Sequence, residues 1–173
     1  LHVKSLALGL MSLGLQAGDR VLIVGDNAPQ WFYAELAAQA GHGATVGAYS
    51  DLTPREIQTI AEKSEAVFAV VQDQEQVDKL LQVKDALPRL KKVIFWNYKG
   101  LAHYKDPVLV GFREVVELGA AHEMEHPGLF ERNVESGKAD DVCAIVYTSG
   151  TTGEEPKGAV HTYRTLRAGA EYH

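Results

Sequence analysis

An α/β fold, a mainly parallel sheet with flanking helices, is what this 173-residue sequence predicts, and three observations predict it. Short apolar or β-branched runs alternate with longer helical stretches. Two of those stretches open with proline behind a turn residue, as suits a first helical turn. Successive apolar runs are also spaced widely enough for a crossover helix between them, the pattern of repeated β-α-β units.

In chain order, residues 6–15 read as an amphipathic helix ending at Gly14 or Gly18. That run lacks the charged start and small-residue cleavage site of a secretion signal, and it is too short to span a bilayer. Strands are expected at 21–25, 44–48, 67–71, 92–96 and 142–147, and helices at 29–40, 54–63, 74–87 and 112–125. Asn27 and Thr53 stand where the two proline-led helices would be capped. Residues 97–110, with mixed polar side chains, Gly100 and Pro107, read as a surface excursion. No repeat, low-complexity tract or linker divides the chain.

Composition is that of an ordinary globular protein, 46% hydrophobic and 23% charged, with length for one substantial core and so one domain or less. A formal net charge of −6 from scattered acidic residues argues against a nucleic-acid partner, which calls for a basic patch or stripe. Cys143, the single cysteine, sits in an apolar strand and reads as a small core residue in a reduced, cytosolic setting. The chain opens on Leu1, and His173 falls in what reads as a helix just beginning, so both ends are expected to be truncations of a longer protein.

The chemistry is concentrated after the strand at 142–147. There the sequence runs Thr148-Ser149-Gly150-Thr151-Thr152-Gly153, then Glu154-Glu155-Pro156-Lys157-Gly158. Glycines let a backbone turn and bring its N–H groups close to an anion, while hydroxyls and one ammonium complete a phosphate cage. The loop is not a Walker motif, because Gly153 and Gly158 have the required gap but Ala159 and Val160 follow. An ATP-handling site remains the leading reading, placed where ligands sit in open α/β sheets, beyond the C-terminal ends of strands.

T-S-G-T-T-G with P-K-G behind it resembles the signature loop of the adenylate-forming enzymes, the acyl-CoA synthetases and their AMP-binding relatives. The resemblance implies a loop that closes over the β and γ phosphates of ATP while a carboxylate attacks the α phosphorus. Acyl adenylate and pyrophosphate would form, and CoA thiol would then displace AMP. It implies phosphate-binding roles for Thr148, Ser149, Gly150, Thr151, Thr152, Gly153 and Lys157, with Lys157 as the catalytic candidate. Two residues, Glu154 and Glu155, separate the last loop glycine from Pro156 where the family usually has one, and Thr162-Tyr163-Arg164-Thr165 replaces its common T-H-x-N.

Segments 34–49, 52–57 and 75–80, with the stretch to Phe130, resemble bacterial long-chain fatty acyl-CoA synthetases more than luciferase-like or peptide-synthetase members. Residues 1–173 are then expected to be part of the large N-terminal domain of an adenylate-forming enzyme, truncated at both ends. The resemblance implies ATP, Mg²⁺ and CoA as cofactors, a fatty acid or other carboxylic acid as substrate, and an isolated fragment that is inactive. It also implies a cytoplasmic enzyme, compatible with peripheral contact at the inner face of the membrane because long-chain acids partition into bilayers. An adenylating enzyme for another acid and a non-catalytic nucleotide-binding module stay open as alternatives. No feature specifies an oligomeric state.

His122-Glu123-Met124-Glu125-His126 is a literal H-E-x-x-H, which on a helix places two imidazoles one turn apart with the first glutamate as base. A zinc hydrolase is disfavoured. The longer form of the motif needs glycine at 129 and histidine at 132, where Leu129 and Arg132 stand, and Pro127-Gly128 stops the helix. No metal ligand is therefore assigned, and incidental metal binding by the histidine pair is the favoured alternative. Gly41-His42-Gly43 reads as a helix-to-strand turn rather than a dinucleotide loop, and Ser149 lacks the G-x-S-x-G surround of a hydrolase nucleophile. Asn27 and Trp31 read as a helix cap and a core residue.

Overall fold

The structure is a computed structural model and describes residues 2–148 and 156–171. Its elements are α1 (His2–Ser12), β1 (Arg20–Val24), α2 (Pro29–Ala40), β2 (Ala44–Ala48), α3 (Pro54–Ser64), β3 (Ala66–Val71), α4 (Gln74–Val83), β4 (Lys92–Phe95), β5 (Leu109–Gly111), α5 (Phe112–Glu125), α6 (Leu129–Ser136), β6 (Val142–Thr148), β7 (Lys157–Thr162) and α7 (Tyr163–Glu171). The strands form one sheet in the order β5-β4-β3-β1-β2-β6-β7. Every neighbouring pair is parallel except β6 and β7, which run antiparallel.

The topology follows from the right-handedness of parallel crossovers. From β1 to β2 the chain steps one way across the sheet through α2; from β2 it passes back over β1 to β3 through α3, then on to β4 through α4. Opposite steps of one hand put their helices on opposite faces. Alternate residues of each strand serve the two layers: Val21, Ile23, Phe68 and Val70 pack with α1, α2 and α5, and Leu22, Val24, Ala69 and Val71 pack with α3 and α4. All of β3 is buried, which explains its unbroken apolar run.

Local chemistry sets the helix ends. Thr53 and Glu56 form a reciprocal capping box at α3, with the Glu56 carboxylate accepting from the Thr53 N–H at 2.8 Å. These hydrogen bonds, led by that from the Thr53 hydroxyl, hold the Glu56 carboxyl below its ordinary range. Asp73 caps α4 with its side chain alone, accepting from the Gln76 N–H at 3.3 Å.

Five expectations are corrected. The first helix is not amphipathic: Ser5, Leu6, Ala7, Leu8, Gly9 and Leu10 are all buried, because α1 is enclosed between α2, α5 and the sheet. Ala28, not Asn27, is the N-cap of α2, and it makes no side-chain cap bond. The helix expected over 74–87 stops at Val83 and tightens into a 3₁₀ turn, Lys84–Ala86, ahead of Pro88. The surface excursion ends in β5, which pairs in parallel with β4 and extends the sheet. Leu129–Ser136, where no element was expected, forms a further helix, α6.

Candidate functional site

The segment expected to bind phosphate connects β6 to β7. Ser149, Gly150, Thr151, Thr152 and Gly153, together with Glu154 and Glu155, lie outside the described residues. Both limbs that carry them are described. Thr148 closes β6, Lys157 opens β7, and the two are Cα partners in the antiparallel ladder. The loop is thus clamped at its base, and Lys157 lies across the hairpin from the residue where the glycine-rich run begins. The additional glutamate falls within the connection, so the ladder alone fixes the register of Lys157 against β6.

Several contacts fix this hairpin. Gly158 pairs with Tyr147, and a Cβ at 158 would come within 2.9 Å of the Ile145 side chain and 3.1 Å of the Tyr147 ring, so only glycine lets β7 lie this close. Lys63, at the end of α3, donates to the Pro156 carbonyl at 3.4 Å. At the other end of β6 the Cys143 carbonyl accepts from the Thr45 hydroxyl at 3.3 Å and from the Gln39 amide at 3.4 Å. The Tyr163 hydroxyl donates to the Gln39 carbonyl at 3.2 Å, and burial pushes that phenol up to about 12. Burial likewise raises the Cys143 thiol above its ordinary range, so this cysteine is a packed side chain rather than a nucleophile.

A cleft of about 280 Å³ opens beside the hairpin at the C-terminal ends of β1, β2 and β6, with Asn27, Trp31, Glu35, Tyr49 and Tyr147 among its lining residues. Sequence reading took Trp31 as structural. It is partly buried against the core and also forms a wall of this cleft. Glu35 went unremarked. It is half-buried there, and desolvation raises its carboxyl above the ordinary range. Its signal was available: Glu35 is the one charged residue in α2, a helix otherwise apolar or neutral.

The H-E-x-x-H residues lie elsewhere, at the end of α5 on the α1 side of the molecule. Glu123, the base of a zinc-hydrolase reading, has its carboxylate 2.5 Å from the Lys4 ammonium, which also meets Glu131 at 2.6 Å. Gly128, at φ +73°, turns the chain directly into α6. Among the described residues no helix is long and apolar enough to cross a membrane.

Comparison with known proteins bears on the family and the fold. Residues 1–173 match the family model described as AMP-binding enzyme. The chain is 36% identical over 160 residues to the long-chain-fatty-acid–CoA ligase ACSBG2 of Xenopus laevis, covering 92% of this chain and 21% of that protein. It is 33% identical over 172 residues to the long-chain-fatty-acid–CoA ligase ACSBG1 of Bos taurus, covering 99% of this chain and 23% of that one. Among solved structures, the anthranilate CoA ligase AuaEII in complex with anthranoyl-AMP superposes with a TM-score of 0.80 at 20% identity, covering 98% of this chain and 30% of its own. Acetoacetyl-CoA synthetase from Streptomyces lividans superposes with a TM-score of 0.71 at 23% identity, covering 94% and 24%. These two likenesses carry the fold; the chain spans under a quarter of the two curated relatives.

Proposed function

The chain belongs to the AMP-binding enzyme family, and from that premise we propose that it is part of the large N-terminal domain of an ATP-dependent, AMP-forming acyl-CoA synthetase acting on long-chain fatty acids. The observation that carries this reading is the hairpin clamp: the glycine- and hydroxyl-rich segment follows the C-terminal end of β6, and the chain returns with Lys157 opposite Thr148. Two relatives above 30% identity that are named long-chain-fatty-acid–CoA ligases support the substrate class. Cytoplasmic location, with peripheral contact at the membrane's inner face, belongs to the same proposal.

In this reading the backbone N–H groups of 149–153 and the hydroxyls of Ser149, Thr151 and Thr152 orient the ATP polyphosphate. Lys157 offsets the charge that gathers on the departing pyrophosphate, so its contribution is greater in the transition state than in the ground state. Mg²⁺, when bound with the nucleotide, neutralises phosphate charge. Among the described residues the one group of three His, Cys, Asp or Glu side chains near enough to share an ion lies at the end of α5, away from this hairpin, so no residue here is assigned to Mg²⁺. Adenine, acyl and CoA contacts are not assigned to this chain, which by itself is expected to be inactive.

Carboxylate-dependent ATP–pyrophosphate exchange by the full-length enzyme, across short, medium, long and aromatic acids, tests the reading. A maximum with long-chain acids supports it. A maximum elsewhere keeps the adenylation chemistry and removes the long-chain assignment, and no exchange with any acid removes both.

Glu154 and Glu155 give a further expected result. Two carboxylates near a polyphosphate repel it, by about 0.5 kcal/mol per charge pair at ~8 Å in water. The double substitution Glu154→Gln, Glu155→Gln is expected to lower KM for MgATP a few-fold at low ionic strength, with the gain shrinking in added salt. An unchanged KM at both salt levels would place these side chains away from the nucleotide.

A further inference from the structure

We propose that the C-terminal turn of α5 is a surface binding site for a borderline divalent cation, Zn²⁺ above all, formed by His122, Glu125 and His126 and independent of the adenylation site. The ligand atoms of these three side chains all lie within 4.8 Å of one another, the only such group among the described residues. The two imidazole rings approach to 4.4 Å between centroids. Their spacing is held by the backbone, since the His126 N–H donates to the His122 carbonyl at 2.9 Å and so keeps both residues on one helical turn. Tetrahedral zinc with bonds of about 2.0–2.1 Å needs neighbouring donors roughly 3.4 Å apart. Glu125 and His126 are exposed and His122 is half-buried, so small side-chain rotations on the open side of the helix close that gap.

The chemistry of the set selects the ion. Two imidazoles and one carboxylate suit Zn²⁺, Ni²⁺ or Cu²⁺ rather than Mg²⁺ or Ca²⁺, which favour all-oxygen surroundings. The unsatisfied carbonyls at a helix C-terminus add negative potential where the cation sits. Of the two glutamates in the motif, the structure picks the second. Glu123 faces the Lys4 ammonium at 2.5 Å, in a pairing that ties α5 to α1 and, through Glu131, to α6. A carboxylate so placed supplies neither a ligand nor a general base. The site is therefore a clamp on the last turn of α5 with water completing the coordination, not a hydrolytic centre.

Zinc titration of the full-length enzyme against a chromophoric competing chelator tests this. The expected result is one equivalent of Zn²⁺ with micromolar affinity that disappears in the double variant His122→Gln, His126→Gln. Glu125→Gln is expected to weaken it by about tenfold or more, because even losing a residue that merely orients a ligand costs that much. Glu123→Gln is expected to leave zinc affinity unchanged. His126→Asn, a single change at an exposed helix end, guards against misfolding of the double variant and should lose the same equivalent. Carboxylate-dependent exchange should stay at the parental rate in all four. No zinc bound by the parental enzyme, an equivalent that survives His126→Asn, or a loss on Glu123→Gln as large as on Glu125→Gln would each overturn the proposal.

Discussion

Lys157→Ala in the full-length enzyme is expected to slow carboxylate-dependent ATP–pyrophosphate exchange by about 10²–10³-fold, the scale seen when one positioned charge-stabilising group is removed. The reason lies in where the hairpin holds this residue. Lys157 is the first residue of β7 and partner to Thr148, so its backbone is fixed by the sheet at the mouth of the loop. In the proposed role, an ammonium carried on this fixed backbone needs little rearrangement as charge moves onto pyrophosphate. The effect should fall mainly on the adenylation rate and only weakly on KM for ATP, because in the proposed role ground-state phosphate binding would be shared with the loop N–H groups. Lys157→Arg should recover part of the rate, since charge is kept while the point-like ammonium is replaced by a planar fork. An exchange rate unchanged in Lys157→Ala would remove this residue from the site.

The second large effect is structural. Where α1 crosses α5, backbone meets backbone: a Cβ at residue 119 would lie 1.6 Å from the Ser5 carbonyl oxygen, and one at residue 9 would lie 2.0 Å from the Val115 carbonyl oxygen. No rotamer change relieves a clash with a carbonyl, so Gly119→Val must push the two helices apart. Around the crossing, Leu6, Leu10 and Val115 are fully buried and would lose their packing. Such overpacking is expected to cost about 3 kcal/mol or more, which at 1.4 kcal/mol per decade is about a hundredfold loss of amide protection. Hydrogen exchange of α1 and α5 amides in the full-length enzyme reads this directly. The exposed neighbour Ala120→Ser should change local stability by no more than about 0.5 kcal/mol. Protection unchanged in Gly119→Val would mean that the helices do not cross this closely.

Much of this architecture was legible because strongly periodic segments dictate their own structure. The helices at 29–40 and 112–125 and the strand at 44–48 coincide with the expected ranges, three other strands differ by one residue at one end, and the first, expected at 21–25, is shifted by one residue to 20–24. Where Pro54 follows Thr53 and Glu56 comes three residues after the cap, local chemistry leaves little choice. What was missed depends on partners distant in sequence. Leu109–Gly111 is too short to show alternation, and it is a strand only because β4 offers an open edge. No element was expected at Lys157–Thr162, which becomes β7 by pairing back on β6. The burial of α1 on most of its faces comes from the α5 crossing, where Gly9 and Gly119 stand 110 residues apart and neither signals the other.

The site divides in the same way. For the candidate site the sequence offers, from Thr148 to Lys157, the residue types that a phosphate cage would need close together, and Ser149 to Glu155 lie outside the described residues. The clamp was not legible, because the Thr148–Lys157 pairing is a tertiary fact about β7. The cleft that Glu35 lines was likewise hidden, since three separate strand ends meet there.

Adenylation of a carboxylate is the chemistry proposed for the enzyme to which this chain belongs. The most direct measurement is a single turnover of the full-length enzyme with palmitate, ATP and Mg²⁺ in the absence of CoA, with products read by mass spectrometry. Palmitoyl-AMP and pyrophosphate in equal amounts, with AMP released only on addition of CoA, is the predicted result. ADP and inorganic phosphate as products, or ATP left intact with every carboxylate tried, would contradict it.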